Sequence, residues 1–203
     1  MYILTRAEPI ENYNSNICQV HSAAIEKQWL DAGYQIYERR YLLRIHHKEY
    51  TVSCPEFRKK GAEPIVVIPE FLVPGRRYPV YVYMYAISLY IRMPGKGQRW
   101  ASEETRKRFG LASFAHTTLG RALKSFVRCT GCEPASISGA AGAVAADARK
   151  KGIFPGVRST EPLRKKAALS LGGMPLGGEK QQAVIASLKL AREFFTEYRR
   201  FLL

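Results

Sequence analysis

The stretch Thr105-Arg-Lys-Arg-Phe-Gly-Leu-Ala-Ser-Phe-Ala-His-Thr-Thr-Leu-Gly-Arg-Ala-Leu123 decides the fold class, because it has the pattern of two short amphipathic helices joined at a glycine. Phe109 and Leu111 are the apolar anchors of its first half, while Arg106, Lys107 and Arg108 carry the charge. Gly110 stands where the first helix must stop, since glycine accepts the left-handed backbone that ends helices. Ser113 is placed to cap the next helix. In that helix Leu119, Ala122, Leu123 and Phe126 recur at intervals of three and four, which predicts one buried stripe. The opposite side carries His116, Thr117, Thr118, Arg121 and Lys124, with the reach and the donors for phosphates and base edges in a major groove. The pattern fits a helix-turn-helix whose second helix runs from about Ser113 to Arg128, and it equally fits an ordinary helical hairpin with a solvated basic face.

The surrounding composition favours a polyanionic partner. The 203 residues carry a net charge of +15. Residues 1–54 hold six Lys/Arg against six Asp/Glu, residues 55–128 fourteen against five, and residues 129–203 twelve against six. The excess therefore peaks in the segment that contains the helix pair. Counterion release from nucleic acid is the simplest use of such an excess, although a ribosomal or membrane-surface protein could show the same total. No apolar run approaches the roughly 20 residues that span a bilayer, so no membrane partner is expected. The amino terminus lacks the positive-then-apolar pattern of a secretory signal, which points to the cytoplasm. Four cysteines, Cys18, Cys54, Cys129 and Cys132, fit a reducing compartment and not a disulfide scaffold.

Ahead of the helix pair, the first segment has strand character. Tyr34 to Tyr41 and Tyr50 to Ser53 are rich in aromatic and β-branched residues, and Tyr41–Ile45 can pair with Glu49–Val52 across His46-His-Lys48. A small antiparallel sheet follows, with a helix expected over Ala23 to Leu30. Pro55, Pro64, Pro69 and Pro74 then surround Ile65–Ile68 and predict a connector with one short extended element. The apolar run from Arg76 to Ile91 is assigned as a buried helix on length, and it would complete a three-helix bundle. Pro94-Gly-Lys-Gly97 ends that helix, and Ser102 is expected to cap the one that follows. Residues 134–178, rich in Ala, Gly, Ser and Pro with two Arg-Lys-Lys clusters, predict a flexible basic linker with one helical stretch near 140–150. In the last segment Val184, Leu188, Ala191, Phe195, Tyr198 and Leu202 share one helical face that needs a partner, either the body of the chain or a second subunit.

Chemistry-bearing constellations are sparse. Cys18-Gln-Val-His21 has the spacing of a zinc knuckle and Cys54-Pro-Glu-Phe57 that of half another, with His46 or His47 available as a further ligand. The candidate zinc set is Cys18, His21, His46 and Cys54, in a site that could equally be vestigial. Cys129-Thr-Gly-Cys132 has no second pair and is assigned to a helix end. Only two aspartates exist, Asp31 and Asp147, so no three-carboxylate strand-transfer site can be assembled, and no P-loop or nucleophile elbow is present. The tyrosines between Tyr78 and Tyr90 are assigned to the core in preference to a base-stacking platform.

The string Val67-Ile-Pro-Glu-Phe-Leu-Val-Pro-Gly-Arg-Arg-Tyr78, followed by Arg108-Phe-Gly-Leu and Thr118-Leu-Gly-Arg121, resembles a bacterial family associated with insertion-sequence transposases. Members of that family have a zinc ribbon, a proline-bounded connector and a helix-turn-helix. The resemblance spans about residues 18–127 and departs at Phe57 and His21, where the family has metal ligands. It implies DNA recognition without strand transfer. The expected fold is α+β: a degenerate zinc-ribbon-like antiparallel sheet (1–60), a three-helix helix-turn-helix domain (61–132), a flexible basic linker (133–178) and a C-terminal amphipathic helix (179–203). The expected function is a non-enzymatic reader of double-stranded DNA, with no cofactor unless zinc. Arg76, Arg77, Arg106, Lys107, Arg108 and Lys124 would hold phosphates, and His116, Thr117, Thr118 and Arg121 would lie nearest the bases. The alternative is an adaptor that dimerises or docks a partner protein through the C-terminal helix.

Overall fold

The computed structural model describes residues 1–13, 15–93, 95–130, 180–198, 201 and 203. The expected linker (133–178), Cys132 and Leu202 lie outside them, as do the side chains of Arg128, Cys129 and Tyr198. The described chain is α+β and divides into two compact units, Met1–Pro79 and Val80–Leu203.

The first unit is a five-stranded mixed sheet: β1 (Tyr2–Thr5), β2 (Ile17–Gln19), β3 (Gln35–Ile45), β4 (Lys48–Arg58) and β5 (Ile65–Pro69), with α1 (Ala23–Asp31) between β2 and β3. Its frame is the β3–β4 hairpin, antiparallel from Ile45↔Lys48 to Gln35↔Arg58 across a two-residue turn in which His46 and His47 are both left-handed (φ 51° and 57°). On its other edge β4 receives β2 in parallel (Cys18↔Val52) and then β5 antiparallel (Phe57↔Ile65), while β1 joins β5 in parallel (Ile3↔Val67). The expected all-antiparallel sheet is therefore corrected to a mixed one. Its parallel partners are distant in sequence, and no turn signal marks them.

The expected boundary at residue 60 moves to Pro79, because the proline-rich segment belongs to the sheet. Ile65–Ile68 form β5 and are buried, as are Phe71, Leu72 and Val73 after it. Gly75 turns the chain with φ +78°, and the Arg77 carbonyl then accepts the Arg44 N–H at 2.9 Å, covering the turn end of β3. Pro55, expected to end the sheet, sits inside β4. It faces Glu38, and its missing N–H points to the other edge, between the last β2 contact at Ser53 and the first β5 contact at Glu56. No ladder bond is lost there.

The second unit is helical: α2 (Val80–Arg92), α3 (Gln98–Arg108), α4 (His116–Thr130) and α5 (Lys180–Tyr198). α2 is apolar around most of its circumference and packs against all three of the others, as a helix hydrophobic on every side must. Tyr81, Tyr83 and Tyr90 are buried in it, which removes the stacking-platform alternative. α5 lays Val184, Leu188, Ala191, Phe194 and Phe195 into the core and contacts α2. Of the two partners the sequence leaves open for this face, the body of the chain and a second subunit, the described residues pack against the body of the chain.

α3 begins at Gly97 and not at Ser102, which lies buried in its middle. It ends as expected at Gly110. The Leu111 N–H donates to Arg106 O (2.9 Å), the Gly110 N–H donates to Lys107 O (3.3 Å), and Gly110 has φ +52°. This pair of bonds closes the helix in a Schellman motif. In α4, Gly120 has an ordinary helical backbone, and an added Cβ would meet only the flexible end of Gln98, at 3.2 Å from Oε1. The two glycines should therefore respond oppositely to alanine. Gly110→Ala is expected to lower unfolding free energy by about 1 kcal/mol and Gly120→Ala to raise it by about 0.5–1 kcal/mol, measured by denaturant titration.

Candidate nucleic-acid interface

α4 separates its two faces cleanly. Leu119, Ala122, Leu123 and Phe126 are all fully buried, each contributing to the apolar burial that fixes the helix's rotation. His116, Thr117, Arg121 and Lys124 are exposed and Thr118 is half-buried, and Thr117, Arg121 and Lys124 follow one another at i, i+4 and i+7 along a single ridge. Among the described residues none of these four exposed side chains has a hydrogen-bond or ion-pair partner. The helical bonding starts at the Ala115 carbonyl, which accepts the Thr118 and Leu119 N–H groups (2.9 and 3.2 Å). Just ahead of it the Phe114 ring is buried against Tyr83 at 5.8 Å. No acidic residue lies in the first turn, which leaves the positive end of the helix uncompensated.

The basic run on α3 is arranged differently. Arg106 makes a two-pronged bond to Glu103 (2.7 and 3.0 Å), Lys107 reaches Glu104 at 3.4 Å, and the Arg108 guanidinium lies 5.1 Å from the centroid of the Tyr85 ring. The Arg106 bond holds the Glu103 carboxyl below the usual carboxylate range. These three cations therefore have partners within the chain, whereas Arg121 and Lys124 have none among the described residues. Phe109–Ala115 connects the two helices in seven residues, longer than the three or four of a compact helix-turn-helix. It is pinned by buried Phe109, Leu111 and Phe114. Arg76 and Arg77 belong to the sheet unit, with Arg77 exposed and Arg76 half-exposed, and do not start α2.

The expected zinc ligands come together only in part. Cys18 and Cys54 are buried on neighbouring strands, and His21 and Cys54 line one cleft of about 430 Å³ with Gln19, Glu26, Glu38 and Ser53. His21 is turned toward Gln19 Oε1 (3.2 Å) and Glu26 (3.7 Å). His46 sits at the hairpin turn, six residues along β4 from Cys54, which at ~3.3 Å per residue is roughly 20 Å away. Phe57, at the place of the remaining knuckle ligand, is fully buried as carbon core. Among the described residues no three metal-ligating side chains converge, so the donor set does not fit a closed four-ligand zinc site.

Comparison of the chain with known protein families, with curated proteins and with solved structures finds no match.

The sequence did not mark the cleft, whose lining comes from β2, α1, β3 and β4, elements that only the sheet register joins. Its buried thiol has a measurable consequence. Burial, reinforced by the nearby Cys18, pushes the Cys54 thiol from the ordinary 9.0 up to about 12, and burial likewise raises Cys18. The unfolded thiol loses its proton near 9 and the folded one near 12, so stability falls as pH rises through that window. Cys54→Val is expected to flatten this alkaline loss relative to the parent, as read by denaturant unfolding at a series of pH values from 8 to 11.

Proposed function

We propose that the chain is a DNA-binding protein without a catalytic site of its own, related to the front part of an insertion-sequence transposase, and that α4 is its reading element. One observation carries this: α4 buries a complete apolar stripe and presents on its other side a ridge of His116, Thr117, Arg121 and Lys124 without partners among the described residues, beside a first turn that holds no acidic residue. A helix dipole, two long cations and short hydroxyl or imidazole side chains suit a groove in which phosphates position and base edges specify. The relation to transposases rests on the Val67–Tyr78 motif and its place before the helices.

The roles of the basic residues divide accordingly. Lys124 is the principal phosphate contact, His116, Thr117, Thr118 and Arg121 lie nearest the bases, and Arg106, Lys107 and Arg108 are secondary because contact with phosphate would exchange one partner for another. The adaptor alternative loses its expected surface, since a partner on the apolar face of α5 would have to displace α2.

Fluorescence anisotropy of a labelled duplex, titrated across a salt series, tests the assignment. Arg121→Ala with Lys124→Ala should weaken binding and reduce the salt slope by about 0.9 for each phosphate no longer neutralised, whereas Arg106→Ala should do less. Unchanged affinity and slope in the double variant would remove α4 from the interface. Glu103→Gln should strengthen binding, because it frees Arg106 from its carboxylate.

A further inference from the structure

Among the described residues the outer edge of β3 has no strand beside it. In the sheet β3 pairs only with β4, and it is as long as β4, eleven residues. The Arg44 N–H leaves the hairpin to meet Arg77 O, which identifies Arg44, and with it Leu42, Arg40, Glu38 and Ile36, as the residues whose backbone groups point outward. No backbone bond is made to the outward groups of Ile36, Glu38, Arg40 or Leu42 among the described residues. Their side chains share one face and are open: Ile36 is 47% and Leu42 55% exposed, and the side chains of Glu38 and Arg40 are 49% and 69% exposed.

We propose that this edge pairs with the same edge of a second copy of the chain, antiparallel about a two-fold axis through Arg39. In that register Ile36 of each copy faces Leu42 of the other and Glu38 faces Arg40, so the two exposed apolar residues and the two opposite charges are each matched twice. All four are outward-pointing positions, so each such pair makes two backbone hydrogen bonds, while Tyr37 faces Tyr41 at the intervening wide positions. The only like charges set directly opposite are the two Arg39 side chains, and each Arg39 already has Glu56 at 4.0 Å and the Tyr41 ring at 5.6 Å.

Neighbouring registers fail. A shift of one residue sets outward groups against inward ones. A shift of two puts Glu38 against Glu38 in one direction. In the other it puts Arg40 against Arg40 and calls on the Arg44 N–H that Arg77 already holds. Charged residues on an edge strand ordinarily resist pairing. Here the order Glu38-Arg39-Arg40 makes the edge complementary to itself, and a symmetric dimer uses one patch twice.

The test is sedimentation equilibrium of the full chain without nucleic acid, so its outcome is independent of DNA binding. A monomer–dimer equilibrium is expected between about 1 and 100 μM, a range that covers ordinary weak-to-moderate self-association. Arg40→Glu, with folding checked by circular dichroism, should raise the dissociation constant at least about tenfold by setting Glu against Glu38, and Glu38→Arg combined with Arg40→Glu should restore it. Arg39→Cys, made together with Cys54→Val because Cys54 faces Arg39 across the hairpin, should form an intersubunit disulfide under mild oxidation, because the axis sets that residue against itself, whereas Arg40→Cys in the same background should not. A monomer throughout the range, a dimer indifferent to Arg40→Glu, or a folded charge-swapped pair that stays monomeric would each overturn the proposal.

Discussion

The two-residue turn at His46 and His47 is the constraint on which the sheet unit depends. Both residues are left-handed without being glycine, a conformation that costs of order 1 kcal/mol at each and persists only where the flanking structure demands it. A turn of this hand matches the twist of two antiparallel strands and fixes their register without latitude. Every later placement follows from that register. Leu43, Ile45, Tyr50, Val52 and Cys54 fall on the buried side, Cys18 arrives opposite Val52, and Pro55 falls where a missing N–H costs nothing. A slip of one residue would reverse all of these faces at once. The same register keeps His46 at the far end from Cys54 and turns the even-numbered residues of β3 outward.

In the helical unit α2 holds the corresponding position. Its Tyr81 and Tyr85 rings meet Phe109 at 6.2 and 5.4 Å, and Tyr83 meets Phe114, so the segment between α3 and α4 is anchored at both its ends by one helix. Fixing both ends determines where α4 starts and which way its ridge faces. The basic run of α3 has a local role in the same design. Arg106, Lys107 and Arg108 occupy the last turn, where the helix macrodipole favours cations, and the carboxylate partners of Arg106 and Lys107 lie one turn back.

The helices were legible because their signals are local. The stripe Leu119, Ala122, Leu123 and Phe126, the stop at Gly110 and the α1 start at Ala23 can all be read within a few residues of chain. The hairpin was legible in the alternation either side of His46 and His47, although its strands run farther than the turn-proximal pattern suggests. Parallel pairing was not legible. β1 and β5 meet across about sixty residues, and nothing in Tyr2–Thr5 announces Ile65–Pro69 as its neighbour. Pro55 misled for a related reason, since whether a proline breaks a strand depends on which edge its nitrogen faces, and that is set by β2 and β5. For the candidate interface, residue type and helical phase found the ridge of α4. What they could not show is which cations are already engaged.

That last distinction changes how the net charge is to be understood. In the sheet unit Arg39, Arg40, Arg44 and Arg58 lie with Glu56, Glu38, Glu49 and Glu56 respectively, so much of the positive charge on the hairpin is matched strand by strand. On α3 Arg106 and Lys107 are matched along the helix. Such exposed pairs contribute little to stability, but they do diminish the field that an approaching polyanion meets. Among the described residues Arg121 and Lys124 of α4 have no such partner, and they lie on a ridge whose orientation is fixed by a fully buried opposite face. A total of +15 therefore overstates the charge the chain presents, because it counts engaged cations and free ones alike.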